Sequence, residues 1–245
     1  MSIPRRKILP NGSLSHLVFR CHNRQRLLQD DAVKIFLLLL WAKYRIEYGI
    51  KILEFSILDN HVHLQVRAHS TEALGHFMRN VNSQLARFVN KLLDRDSQVI
   101  RERYKSPLIT SDAYAFQTMQ YIWLNRLKAM HRNPRFDPFC SLSWRLNPEV
   151  IKTFQLNEEG EILLRHLLST EDRLYSNNVR KFCLDLFNAA MSKAELFEVA
   201  VFDHSHTIGD FVAVEARASI LNAFRIEKNP WPASVSALLN LDPLE

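Results

Sequence analysis

Two histidines, His61 and His63, are separated by a single valine in the segment HVHLQVRA, where apolar and polar residues alternate. On a β-strand, residues i and i+2 point to the same face, so His61, His63 and Gln65 project together while Val62, Leu64 and Val66 face the other way. Two imidazoles on one strand, with backbones roughly 6–7 Å apart, can converge on a single metal ion. Spacing alone is weak evidence, because ten histidines in 245 residues produce a His-x-His by chance roughly 0.4 times per chain. His204-Ser205-His206 repeats the spacing, but in the polar, turn-like segment HSHTIGD it reads as structural or incidental.

Tyr121 and Asn125 lie four residues apart in a helical pattern, which puts them on one helix face. A tyrosine hydroxyl, with an ordinary pKa near 10, needs a metal-polarised phosphate or a nearby base to act as a nucleophile. An asparagine amide one turn away can supply a third ligand beside two histidines. Taken alone, Tyr121 reads more simply as a core tyrosine.

The elements that must position these residues follow from the patterning. Residues 13–20 suit a strand after an Asn-Gly turn. Asp30 and Asp31 can cap a strongly apolar helix that stops at Gly49. Residues 50–58 and 61–68 read as a hairpin around Asp59-Asn60. Ser70 or Thr71 opens a long amphipathic helix with Leu74, Phe77, Met78, Val81, Leu85 and Val89 on its apolar face. Residues 103–110 read as a fourth strand, and Ser111-Asp112 caps the helix, over residues 113–131, that carries Tyr121. The order β-α-β-β-α-β-α predicts an α+β, ferredoxin-like (RRM-like) antiparallel sheet with helices on one face and the last helix appended. Pro134, Pro138 and Pro148 predict a linker, dividing a domain at residues 1–147 from a region at residues 148–245. That second region is mainly helical in pattern, over residues 158–168, 177–188, 192–202 and 208–224, with Pro230 and Pro232 before a short apolar tail.

Hydrophobic and charged fractions of 47% and 24% are those of an ordinary globular chain, so disorder is not indicated. The net charge of +6 is unevenly spread: residues 1–149 hold 23 basic and 12 acidic side chains, residues 150–245 hold 9 and 14. A basic first half suits a polyanionic partner. Cys21, Cys140 and Cys183 are too few and too far apart for a disulfide framework or a CxxC metal site. Arg5, Arg6 and Lys7 are followed by Leu-Pro-Asn-Gly where a secretory signal would need an apolar stretch, and the run Ile35 to Ala42 is far short of a membrane span. The expectation is a soluble cytoplasmic protein.

The segments ILDNHVHLQV and RERYKSPLITSDAYAFQTMQYIWLNRLKA together resemble the HUH-type single-tyrosine transposases, within the IS200-like group, and most closely the REP-associated tyrosine transposase branch. The resemblance rests on the His61-Val62-His63 strand, the following Arg103-Tyr104-Lys105, the Tyr121…Asn125 helix and Lys128-Ala129 just after it. It spans about residues 13–147, and its early part includes HLVFRCHNRQRLL. The chain departs from the pattern at Asn125-Arg126, where Asn-Pro is common, at Cys21-His22-Asn23, where Arg-Gly-Asn is common, and at Trp123, where a smaller or polar residue is frequent.

The resemblance implies that His61, His63 and Asn125 hold one Mg²⁺ or Mn²⁺ and that Tyr121 attacks the phosphorus of single-stranded or hairpin DNA. The product would be a 5′-phosphotyrosine link and a free 3′-OH. Arg20, Arg24, Arg26, Arg79, Arg87, Arg101, Arg103, Lys105, Arg126, Lys128 and Arg132 are the candidate DNA contacts, with Phe116 and Trp123 as candidate stacking platforms. A domesticated hairpin-binding protein without cleavage activity would present the same surface. A small-molecule phosphoesterase fits less well, since the basic half is too extended for a compact substrate. The sequence leaves a homodimer and a monomer equally open.

Overall fold

The computed structural model describes residues 12–170 and 172–202, with side chains to residue 192. His204, His206, the pattern at residues 208–224 and the prolines at 230 and 232 lie outside the described residues. Strands β1 (Ser13–Arg20), β2 (Lys51–Ile57), β3 (His61–Ala68) and β4 (Leu108–Ile109) form one antiparallel sheet in the order β2-β3-β1-β4.

Alternation sorts the sheet into two faces. Leu17 and Phe19 of β1, Phe55 and Ile57 of β2, and Val62, Leu64 and Val66 of β3 share a buried core with helices α1 (Asp31–Glu47) and α2 (Thr71–Leu92). Asp30 caps α1 by accepting from the Ala32 N–H at 2.8 Å, and Gly49, at φ +62°, lets the chain turn out of the helix into β2. Ser70 caps α2 in the same way through the Ala73 N–H. Leu74, Phe77, Met78, Val81, Leu85 and Val89 of α2 are buried as its periodicity predicts, each stabilising the fold by about 1.5–3 kcal/mol.

Helix α3 (Asp112–Met130) is more than an appendage, because it covers the second face of the sheet, the one that carries the histidines. The expected fourth strand is cut to two residues. Val18 and Lys105 still exchange backbone hydrogen bonds at 2.8 Å, but Pro107 has no N–H to donate, and only its carbonyl is used, by His16 N at 3.0 Å.

The prolines at 134, 138 and 148 do not mark a linker. The chain after α3 turns back onto the sheet: Ser141 and Arg145 of the short helix α4 (Ser141–Leu146) are buried against β2. Val150, Ile151 and Phe154 in the 3-10 turn that follows, Leu164 of α5 (Glu158–Arg165), and Leu167 extend the α1/α2 core. The expected pair of helices over residues 177–202 is one helix, α6 (Val179–Phe202), whose Cys183, Phe187 and Ala190 pack with Met119, Ile122 and Trp123 of α3. All three cysteines are free and buried. Among the described residues no helix is long and apolar enough to cross a membrane.

Two buried polar networks lock α3 to the sheet. Glu54 of β2, at 0% exposure, accepts from Trp123 Nε1 at 2.7 Å, from the Ser141 hydroxyl, from Tyr175 Oη at 2.5 Å and from Arg145 Nε at 3.3 Å. Arg145 also donates to the carbonyls of Leu53 and Ser169 at 2.6 and 2.9 Å. Burial, together with the Glu54 carboxylate beside it, pushes the Tyr175 hydroxyl well above its ordinary value, so it remains a donor. Further along α3, Arg126 donates through Nε to Asp137 at 2.6 Å and through Nη1 to the Ile57 carbonyl. Removing one member of such a set strands a charge in the interior. Arg145→Ala is therefore expected to cost about 3–5 kcal/mol, read as a lower denaturation midpoint. A loss under about 1 kcal/mol would contradict a load on this network, since it would match an exposed pair.

Candidate functional site

The β1/β3 register sets Arg20 opposite His61, Val18 opposite His63 and His16 opposite Gln65, so these six side chains occupy one face. His61 and His63 have ring centroids 5.0 Å apart. Tyr121, arriving from α3, sets its ring at 90° to His63 with centroids 5.3 Å apart. His63 is buried, whereas Tyr121 is 47% exposed. A buried imidazole, with half-buried His61 beside it, thus meets an exposed phenol.

His16, which the sequence reading did not single out, completes the cluster. Its Nε2 lies 3.0 Å from His63 Nδ1, its ring stacks on His63 at 5.2 Å, and the ring of Tyr121 meets it edge-on at 5.7 Å. Only the strand register reveals it, because His16 is 47 residues from His63 in sequence. Asn60, in the hairpin turn, is a second such residue. Its Nδ2 donates to the Arg24 carbonyl at 3.1 Å, which turns Oδ1 toward His61 Nδ1 at 2.6 Å. An amide oxygen only accepts, so His61 carries its proton on Nδ1 and keeps a lone pair on Nε2.

Burial holds all three imidazoles neutral. It lowers His16 and His61 to about 4, helped at His61 by Arg20, and it lowers His63 to about 2, helped by the neighbouring His61, His16 and Arg20. Neutral imidazole is the ligating form. One further atom fits a cation. His63 Nε2 is buried without a hydrogen-bond partner. Asn125 donates Nδ2 to the Tyr121 carbonyl at 2.7 Å, leaving Oδ1 as its remaining polar atom. Among the described residues no group of three or more His, Cys, Asp or Glu side chains is gathered for a metal. An ion here would draw on two imidazole nitrogens and oxygens of another kind, a set suited to Mn²⁺ and tolerated by Mg²⁺.

The candidate DNA contacts separate into groups. Arg20 is exposed at the end of β1 beside His61, and exposed Lys105 is paired through its backbone with Val18, which places it on the histidine face. Arg24, Arg101, Arg103, Lys128 and Arg132 are also exposed. Arg26 is exposed but held by Asp59. Arg79 and Arg87 are exposed on α2, which packs against the opposite face of the sheet. Arg126 must be withdrawn as a DNA contact: it is fully buried in its pair with Asp137. The two stacking candidates are withdrawn as well. Trp123 is fully buried on Glu54, and Phe116 packs against Phe182.

The site is thus a His-hydrophobic-His strand of a small antiparallel sheet set beneath a tyrosine-bearing helix. Residues 12–125 match the family model described as "Transposase IS200 like", a segment that includes His61, His63, Tyr121 and Asn125. No curated protein matches the chain. Among solved structures, a REP-associated tyrosine transposase bound to a REP hairpin is similar at 16% identity and a TM-score of 0.46, covering 58% of this chain and 84% of its own. A protein of Deinococcus radiodurans R1 assigned as a transposase is similar at 18% identity and a TM-score of 0.35, covering 50% of this chain and 95% of its own.

The depressed histidines give stability a pH dependence. Their folded-state values lie below the ordinary 6.5, so the unfolded chain takes up protons first as pH falls. The contribution is complete above about 6.5 and is lost progressively toward about 4. The urea midpoint of the metal-free protein is expected to drop between about pH 7 and pH 5, and to drop less in His61→Gln. An equal drop in that variant would contradict the assignment.

Proposed function

We propose that the chain is a metal-dependent single-strand DNA endonuclease and strand transferase, with Tyr121 as nucleophile and His61, His63 and Asn125 as the ligands of one Mg²⁺ or Mn²⁺. The observation that carries this reading is the perpendicular contact between Tyr121 and His63. It joins an exposed phenol on one element to a buried imidazole on another, with the half-buried His61 beside it.

A divalent ion bound there supplies Lewis-acid polarisation of the scissile phosphate. The chain's own residues do the rest. Tyr121 Oη attacks phosphorus, the bond to the 3′-oxygen breaks, and the tyrosine proton leaves as the 3′-OH forms. The 5′-phosphotyrosine retains the energy of the phosphodiester, so a second 3′-OH can displace it and rejoin the strand without a nucleotide cofactor. Arg20 and Lys105 flank the histidine face and are the side chains best placed to hold the phosphates on either side. Lys128, Arg132 and the exposed turn at Arg24 extend that basic rim. Arg79 and Arg87, on α2 behind the sheet, lie away from the histidine face and outside that rim. The sequence resemblance suggests a hairpin-flanked target.

Incubation with end-labelled hairpin DNA bearing a single-stranded flank, in Mn²⁺ or Mg²⁺, is expected to give a protein–DNA adduct that survives denaturation. Tyr121→Phe keeps the ring and removes the nucleophile, so the adduct should fall to background. Adduct of unchanged yield in that variant would refute the role of Tyr121.

A further inference from the structure

His63 offers its two ring nitrogens to unlike surroundings. Nδ1 lies 3.0 Å from His16 Nε2, and Nε2 is buried with no partner. One proton is shared across the first contact, and two arrangements are available. If His16 donates, neutral His63 must carry its own proton on Nε2, an orphaned buried N–H, which is the rarer and costlier kind of unsatisfied group. That N–H would also repel a cation. If His63 donates from Nδ1, the buried Nε2 atom is a lone pair, the one arrangement that a metal ion satisfies.

We infer that His16 is a positioning residue: its Nε2 accepts the Nδ1–H of His63 and so fixes His63 in the tautomer that can ligate through Nε2. The inference rests on the proposed metal site and deepens it. Asn60 performs the equivalent service for His61 by a different group, an amide oxygen held in place by the Arg24 carbonyl. Each proposed imidazole ligand thus has its Nδ1 proton held by a residue outside the His-x-His motif, one in the adjoining turn and one on the neighbouring strand. The His16 ring also stacks on His63 and contacts Tyr121 by its edge, so a single side chain sets the orientation of ligand and nucleophile together. Such partners of metal-bound histidines typically alter metal affinity by 10–100-fold when removed.

Nitrogen-15 NMR of the histidine rings in the metal-free protein tests the inference without any assay of cleavage. Wild-type His63 is expected to be protonated at Nδ1. Protonation at Nε2 would overturn the inference directly. Calorimetric titration with Mn²⁺ gives the second readout. His16→Phe is expected to weaken binding by about 10–100-fold, and His16→Gln, whose side-chain oxygen can accept from Nδ1, to restore most of the loss. Mn²⁺ binding lost in His63→Ala but unchanged in His16→Phe would refute the role of His16 while leaving the metal site intact. Wild-type protein that binds no Mn²⁺, or binding indifferent to His63→Ala, would overturn the metal site and the inference with it.

Discussion

A single buried carboxylate, Glu54, holds the two halves of the site in register. It lies on the face of β2 that points at α3, and it gathers donors from α3, from α4 and from Tyr175. A charge with no exposure is tolerable only when every lone pair is used and a countercharge is close, and Arg145 supplies that countercharge. The consequence is geometric. Trp123, two residues from Tyr121, cannot slide along the sheet without breaking its bond to Glu54, so the tyrosine helix has one seating over the histidine strand. Arg126, one residue past Asn125, ties the same helix to the Ile57 carbonyl at the end of β2 and to Asp137.

These ties have a functional logic in the contrast of burial they produce. His63 is buried and His61 half-buried, enough to keep both neutral, and the phenol remains open to solvent. In the proposed reaction, pre-positioning of ligands and nucleophile by separate rigid elements would lower the entropic cost of assembling them around a phosphate. The C-terminal part of the described chain shares in this. Tyr175 completes the Glu54 shell, and α6 packs on α3, so the described residues that follow α5 buttress the helix that carries Tyr121.

Local signals were legible in the sequence wherever a side chain answers to its own neighbours. Strand β3 has the boundaries its alternation predicts, and Asp30, Ser70 and Ser111 cap the helices they precede. The His61, His63 and Tyr121 cluster was legible through spacing combined with a family pattern. What escaped was set by long-range packing. Arg126 and Trp123 look like surface groups on a helix near DNA, yet their partners, Asp137 and Glu54, are reached only once the chain has folded back. The same fold-back makes the proline-rich stretch part of the core and not a linker. His16 escaped because a strand register, invisible in one sequence, is what brings it to His63. Pro107 has the opposite character: it is a local feature, a residue with no N–H to donate, beside which the fourth strand is only two residues long.

If the sheet's histidines and the helix's Tyr121–Asn125 turn form the proposed metal-centred site, a crystal of the protein soaked in Mn²⁺ should show, by anomalous diffraction, one strong peak shared by His61 Nε2 and His63 Nε2, with Asn125 Oδ1 turned to it and the Tyr121 hydroxyl on the same side. A peak away from the two histidines, or one that they coordinate while Tyr121 and Asn125 face elsewhere, would contradict that site.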